Sequence, residues 1–460
     1  MKRKDVLSIL IVSFLIFTIF TIGSRTEAAE MKTLTLKKAI EIALESNINL
    51  KQATNQVTLG RISVNQQKSN FYPDLYLSAR STKQYGKEYN TVTGQTINQS
   101  SGSISADAST SFNLFNGFYD TASLKQSQFE LKAATGDTER TRQSIVFTTI
   151  QNFIQAITAR EMIRVEKENL EAQRLLLKQV EDFYKSGKRP ITDFYLQQAD
   201  ISDAEYQLLN AERNYDVSKL QLMKTLGLQP GIDYELEDPG IDILVANIVQ
   251  FQKDQVLQEA LAKRPDLAAQ EFQIEAAKKR MVAAKSGYWP KLNFIAGYGT
   301  NYSDQIKYLN FSDQFFKVNP GGSIGLSLSI PLFDKFKTRY SVAIADINLQ
   351  NQQLGMELLQ QQVSLEVQQA IEDYQTASKQ LEVSNTQLKY AKDALDSMQE
   401  RYNVNASTLV ELTQTRAQYL QSIYNGIQAK FNMLIRGIGV AFYKGDYKGM
   451  ISSLETKLEK

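Results

Sequence analysis

The chain reads as a mainly α protein with a small β part, built as two tandem copies of a very long helical hairpin. Three observations predict this. Residues 118–226 carry about 70 residues of amphipathic helix, a break at Gly187-Lys188-Arg189-Pro190, and a second helix of about 36. Landmarks of the first half recur in the second at a shift of 217 or 218 residues. Ahead of each hairpin lies a pair of stretches, one of which alternates apolar and polar residues with period two. At ~1.5 Å per residue the hairpin arms are roughly 100 and 55 Å long, more than a globular core needs.

The repeat rests on separate landmarks. Ala43-Leu44 matches Ala260-Leu261, and Tyr72-Pro73 matches Trp289-Pro290. Leu114-Phe115-Asn116 matches Leu332-Phe333-Asp334, Tyr184 matches Tyr402, and Asp193 matches Glu411. A shift of 217 or 218 at every one of them indicates a tandem duplication. The expected organisation is a leader over 1–29, a first copy over 30–240, a second over 241–440, and a C-terminal tail over 441–460 that lies at the waist.

Residues 1–29 have a basic start at Lys2-Arg3-Lys4, an apolar run from Val6 to Ile22, and small residues at Ala28-Ala29. This is the layout of a secretory signal peptide. The apolar run is short for a membrane span. The 460 residues hold 52 Lys+Arg and 50 Asp+Glu, and without the leader 48 of each sign remain. Composition therefore gives no basic footprint for nucleic acid. There is no Cys and no His. That excludes disulfides, thiolate or imidazole metal sites, and histidine-based catalysis. No phosphate-binding loop is present, and no cofactor or metal is expected; Gly321-Gly322 precede a strand, not a helix.

Within each copy the elements come in one order. A short amphipathic helix (34–46; 253–263) is followed by a helix of about 23 residues (47–69; 265–287). Pro73 and Pro290 stop it, because proline lacks the N–H and disfavours helix at the residue before it. Strands follow at 74–84 and 103–115, and again at 292–302 and from 324 on. Ile104, Ala106, Ala108, Phe112 and Leu114 share one face, as do Ile324, Leu326, Leu328 and Ile330; Ser, Asn and Gly dominate the other. The intervening segments 85–102 and 303–322 read as polar loops.

Such strands suit a soluble sheet with one wet face. They also suit a membrane, because about 9–11 residues cross a bilayer when tilted and the polar face is small and nearly uncharged. Four strands cannot close a barrel, and open edges cannot stand in lipid. A membrane reading therefore requires several chains to share one barrel; three would supply about twelve strands.

Asn116 and Asp334 stand just before the long helices and suit N-caps. Apolar residues then step by three, four and seven: Val146, Ile150, Phe153, Ile157 in one arm, and Leu388, Ala391, Leu395, Met398, Tyr402 in its counterpart. These are coiled-coil seams. The return arm plus the upper helix, ~59 residues or ~90 Å, nearly equals the long arm. The two short helices can thus stack end to end beside the long one, with the linker 227–252 and the tail from Gly437 at the waist.

In this arrangement the chain resembles the TolC-like outer membrane efflux proteins. The resemblance rests on the duplicated layout, the opening Leu34-Thr35-Leu36…Ala39-Ile40…Ala43-Leu44…Asn47, and the Tyr72-Pro73 and Trp289-Pro290 switches. It also rests on the tips Phe183-Tyr184-Lys185-Ser186-Gly187…Thr192-Asp193 and Arg401-Tyr402-Asn403-Val404-Asn405…Glu411. It implies a homotrimer whose twelve-stranded transmembrane β-barrel crosses the outer membrane and whose α-helical barrel crosses the periplasm. Such a duct is passive. It exports small molecules or proteins with a periplasmic adaptor (a membrane fusion protein) and an inner-membrane transporter of RND or ABC type.

The resemblance also implies a gate. Thr192, Asp193, Tyr402 and Glu411 match the family's constriction, with Tyr402 hydrogen-bonded to an aspartate. Two positions depart: Ser407 stands where the family pattern has arginine, and Gln414 where it has a second ring aspartate. The acidic ring would then carry three charges per trimer. Asp193 and Glu411 also fit as helix-start acids stabilised by the macrodipole. Gly187, Lys188, Arg189, Val404, Asn405 and Ala406 form the tips expected to face the adaptor, the basic pair being either solvated or directed at acidic partner residues. A soluble coiled-coil adaptor and a carboxylate-based hydrolase are the competing classes. The repeated strand pairs disfavour the first. Acid pairs such as Glu166/Glu168 and Asp200/Asp203 read as ordinary helix-surface residues, which disfavours the second.

Overall fold

A computed structural model describes residues 32–90, 94–98, 100–228, 234–238 and 251–445. The leader, the junction at 240–241 and residues 446–460 of the tail lie outside the described residues. Strand β1 (Lys32–Leu34) leads into α1 (Leu36–Ser46) and α2 (Ile48–Ser69). Strands β2 (Tyr76–Gln84), β3 (Lys87–Asn90), β4 (Gln95–Asn98) and β5 (Ser101–Phe115) follow. Then come the hairpin α3 (Tyr119–Lys185) and α4 (Ile191–Leu226), and strand β6 (Tyr234–Leu236). The second copy holds α5 (Lys253–Lys263), α6 (Pro265–Lys285), β7 (Lys291–Ser303), a single turn α7 (Phe311–Asp313) and β8 (Gly321–Ser329). It ends in a second hairpin, α8 (Lys337–Asn403) and α9 (Leu409–Tyr443).

Both long arms have 67 residues. The expected end-to-end stacking is built by one side chain. Asn47 caps α2 by accepting from the N–H groups of Asn49 (2.9 Å) and Leu50 (3.3 Å). Its amide then donates to the Thr225 carbonyl in the last turn of α4 (2.8 Å). One residue thus satisfies the orphan groups of two helix ends. Gly227 closes α4 at φ +69, and a Cβ there would sit 2.8 Å from the Ser46 carbonyl oxygen. At the equivalent place in the second copy, Arg264 precedes α6 and pairs with Asp266 (2.6 Å) and with Glu366 on α8 (2.7 Å).

Three apolar cores close the hairpins, two at the waist and one at the tips. At the waist Val146, Ile150, Phe153 and Ile157 pack against Leu34, Ile40, Leu222 and Leu226. Val363, Val367, Ile371 and Tyr374 make the matching core with Val256, Ala260 and Val440. Each large apolar side chain fully buried here stabilises by roughly 1.5–3 kcal/mol. The third core lies at the tips. The tail expected at the waist from Gly437 begins there as helix: α9 runs on to Tyr443, and Ile438 and Val440 join the waist cores.

Four strands form one antiparallel sheet in the order β2-β5-β7-β8, leaving β2 and β8 as open edges. The segment expected as a loop at 85–102 contains the hairpin of β3 and β4. That at 303–322 contains α7 and a short π-helix over Gln314–Val318. Asn116 and Asp334 are not the N-caps. Phe118 (φ +68) and Phe336 (φ +63) hold those positions in the left-handed region. Asn116 and Asp334 instead reach over this turn to accept from the Asp120 (3.3 Å) and Thr338 (2.8 Å) N–H groups.

Candidate functional site: the hairpin tips and the apolar sheet face

The tip core brings both hairpins of one chain together. Leu176 and Val180 from α3 meet Tyr402 from α8 and Leu409 and Leu412 from α9, with Phe183 and Phe194 against them. Tyr402 is 0% exposed. Its ring lies 6.0 Å from that of Phe183 and carries the Arg189 guanidinium at 4.8 Å. Arg189 also donates to the Ser407 carbonyl (2.6 Å). Arg189 thus spans from the first tip to the second, and the expectation that it faces outward is corrected. The physical reason is the Tyr402 ring, whose negative face attracts a desolvated cation. Arg189 brings a guanidinium to Ser407, the position where the family pattern has arginine.

The hydrogen bond implied between Tyr402 and Asp193 is not formed. The Tyr402 hydroxyl is buried with no partner, as are Arg189 Nε and Ser407 Oγ. Burial raises the Tyr402 pKa; Arg189 opposes that and Asp193 adds to it. Asp193 sits in the first turn of α4, and Thr192 beside it is exposed. Glu411 closes a capping box: its carboxylate accepts from the Thr408 N–H (2.8 Å) and hydroxyl (3.1 Å), while the Glu411 N–H donates back to Thr408 Oγ (3.2 Å). These bonds hold the Glu411 carboxyl below its ordinary range. In the single chain it therefore serves as a helix-start acid. Gln414, one turn on, is exposed.

The remaining tip residues point outward. Gly187 (φ +78) has open space around it, and Lys188 lies 5.8 Å over the Phe183 ring with its residue exposed. Val404 is 73% exposed, Asn405 adopts φ +58, and Ala406 is exposed.

Sequence reasoning missed two further links between the hairpins. Glu166 on α3 is buried and accepts from the Tyr424 hydroxyl on α9. Burial and this carboxylate raise the Tyr424 pKa well above normal. Glu166 is therefore no ordinary surface acid, whereas Glu168 is, paired with Arg164 at 2.7 Å. Asp200 is half-buried, its carboxyl pushed up by burial and by Asp203. Arg416 of the other hairpin lies close enough to oppose that rise. The proximity is tertiary, so no local signal carried it.

The sheet sorts its residues cleanly. Register pairs Ala108 with Leu77 and Tyr298, Ala106 with Ala79 and Thr300, and Phe112 with Phe294. Phe294 pairs with Leu326, Ala296 with Ile324 and Leu292 with Leu328. Ile104, Ala106, Ala108, Phe112, Ile324, Leu326 and Leu328 thus share one face, the last three at 62–81% exposure. Leu114 departs. A bulge between Asn113 and Phe115 puts Phe115, not Leu114, opposite Leu292. Ile330 lies just past β8, which stops at Ser329 ahead of Pro331. The opposite face carries Ser103, Ser105, Asp107 and Ser109 on β5 and Ser323, Gly325 and Ser327 on β8, with Ser78 donating to Asp107 (2.7 Å). Where strands meet helices, Phe115, Phe118 and Trp289 form edge-to-face contacts at 5.2 and 6.0 Å, and Phe333 meets Phe336 at 5.5 Å. Such a ring of aromatics suits a membrane–water boundary. No helix among the described residues is long and apolar enough to cross a membrane.

An apolar-faced sheet set on a stack of helical hairpins, with the two tips of the chain locked together, defines a subunit of an envelope channel. The chain belongs to the outer membrane efflux protein family, whose pattern matches residues 39–228 and again 256–445. It is an outer-membrane efflux channel protein and not an enzyme. It is 22% identical over 403 residues to the toxin and drug export protein A of Aggregatibacter actinomycetemcomitans, covering 88% of this chain and 84% of that one. It is 21% identical to the pyoverdine export outer membrane protein OpmQ of Pseudomonas putida, covering 68% of this chain and 64% of that one. The fold matches the crystal structure of CusC (TM-score 0.78, 16% identity, 93% and 96% of the two chains). It also matches the outer membrane protein VceC of Vibrio cholerae (TM-score 0.74, 16% identity, 89% and 96%).

Proposed function

We propose that three copies of this chain close one duct, and that the duct is a passive exit for exported small molecules or proteins. The observation that carries the reading is the four-stranded sheet with two open edges and one exposed apolar face. In lipid those edges must be paired, and a four-stranded barrel does not close. Three copies, each joining its β8 to the next β2, give about twelve strands. A nine-residue strand such as β8 spans about 30 Å along its axis and roughly 23 Å in height when tilted, close to a bilayer's apolar band.

The helices support the same assembly. Tyr340, Ile344, Ile347, Leu354, Leu358 and Leu365 are 55–68% exposed and step by 4, 3, 7, 4 and 7 along α8. That is a coiled-coil seam without a partner among the described residues. The two copies of the repeat would alternate around the wall. The periplasmic wall reaches about 100 Å.

Energy would come from elsewhere, through a periplasmic adaptor and an inner-membrane transporter of RND or ABC type. Lys188, Val404, Asn405 and Ala406 are the residues offered to the adaptor. The gate is the tip core, with Arg189 and Tyr402 tying the hairpins and Asp193 and Glu411 supplying its acidic groups. The relatives, a toxin and drug export protein and a pyoverdine export protein, support an export role. Extraction in detergent followed by mass determination tests the assembly. A membrane-extracted trimer that conducts ions in a planar bilayer is expected; a soluble monomer overturns the reading.

A further inference from the structure

The segment between β7 and β8 is folded, and it folds to one side. Gln314 is 0% exposed and is its hub. The Gln314 amide nitrogen lies within bonding distance of the carbonyls of Ser303 (3.1 Å), Ile306 (3.2 Å) and Leu309 (3.0 Å), and its oxygen accepts from the Ser303 N–H (3.0 Å). A buried amide saturated in this way fixes the backbone around it. The side of the sheet is set by two contacts. Thr300, which pairs with Ala106 on the apolar face, donates its hydroxyl to the Phe315 carbonyl (2.6 Å). Tyr302, which pairs with Ile104 on that face, meets the Phe311 ring at 5.1 Å. Phe311 in turn stacks on Phe315 at 5.0 Å, and Phe315 meets Phe316 at 5.2 Å.

We propose that residues 304–319 form an aromatic collar bedded in the outer leaflet of the membrane, on the lipid side of the barrel wall and clear of its mouth. The inference rests on the barrel reading above. Its carrier is continuity: through Thr300 and Tyr302 the collar extends the same face that bears Ile324, Leu326 and Leu328, and Phe316 (67%), Val318 (58%) and Tyr308 (75%) are exposed on the collar. Depth agrees. From Trp289 at the lower aromatic ring to Tyr302 is about 43 Å along the strand, or roughly 33 Å in height at a 40° tilt, which places the collar at the upper lipid boundary. An interfacial segment buries its apolar side about 5–10 Å into the headgroup and acyl boundary. The occupant is therefore lipid, acyl chain next to headgroup.

The chain's single tryptophan makes the test direct. In the full-length protein with Trp289→Phe, Phe316→Trp and Val318→Trp are two independent reporters, and Leu326→Trp on the sheet is the reference. Each is reconstituted in phosphatidylcholine vesicles with and without bromine on the acyl chains. All three should lose most of their emission in brominated lipid and resist aqueous acrylamide. If Leu326→Trp is quenched by lipid while both collar reporters are quenched only by acrylamide, the collar stands in water and the proposal fails. If the collar reporters are shielded from both quenchers, a neighbouring copy covers them and it fails equally. If the Leu326→Trp reference escapes lipid quenching as well, the barrel reading itself is overturned.

Discussion

Removing the Arg189 guanidinium should loosen the two hairpin tips of a chain from one another. In Arg189→Ala two contacts disappear: the cation over the buried Tyr402 ring at 4.8 Å and the bond to the Ser407 carbonyl at 2.6 Å. A partly desolvated cation–π contact stabilises by about 1–2 kcal/mol, and a hydrogen bond from a charged donor by about 1.5–3. The buried, unpartnered Nε offsets part of this. A net of about 2–3 kcal/mol per chain corresponds to a roughly 30- to 150-fold shift toward separated tips. Single-channel conductance in planar bilayers reads this as a higher open probability or larger unitary conductance. Arg189→Lys keeps the charge but not the planar group that stacks, so it should restore the closed state only in part. Normally assembled Arg189→Ala trimers with unchanged conductance would refute the tie.

Other outcomes follow from the same geometry. Because its buried hydroxyl has no partner, Tyr402→Phe should keep the tips closed and raise stability by about 1 kcal/mol, whereas Tyr402→Ala, which empties the tip core, should cost about 3–5 kcal/mol in chemical denaturation. Leu326→Arg on the apolar face should impair outer-membrane assembly by about 2–4 kcal/mol, while Ser327→Arg on the opposite face should assemble normally and alter only ion selectivity. Burial works to raise the Asp266 carboxyl, but its bonds to Arg264 and the nearby Arg140 bring it below the ordinary range. Its contribution to stability is therefore present above the unfolded carboxylate pKa and is lost as pH falls through the depressed folded value. Urea midpoints of the parent and Asp266→Asn should differ at pH 7 and converge toward pH 3.

Much of the architecture was legible because its signals are local. Pro73 and Pro290 end helices wherever they fall, and period-two alternation at 103–115 marks a strand without regard to its neighbours. The element order, the helix lengths and the apolar face came from such signals. Most of the misplaced details depend on what lies opposite. The bulge that exchanges Leu114 for Phe115 exists only against β7. The order in 304–319 depends on Gln314 finding the Ser303, Ile306 and Leu309 carbonyls. Glu166 looked like a surface acid because Tyr424, its partner, is 258 residues away.

The tips draw the line most clearly. Sequence alone determined that the chain holds two hairpins, that Tyr184 and Tyr402 occupy equivalent places in them, and that acids open both return arms. Only the tertiary structure decided that these places are not alike. Tyr402 is 0% exposed beneath Arg189, and Tyr184 is 41% exposed. The repeat makes the two hairpins similar in sequence, but packing one tip against the other lets just one tyrosine fill the shared core. Burial belongs to the pair of hairpins and not to either one.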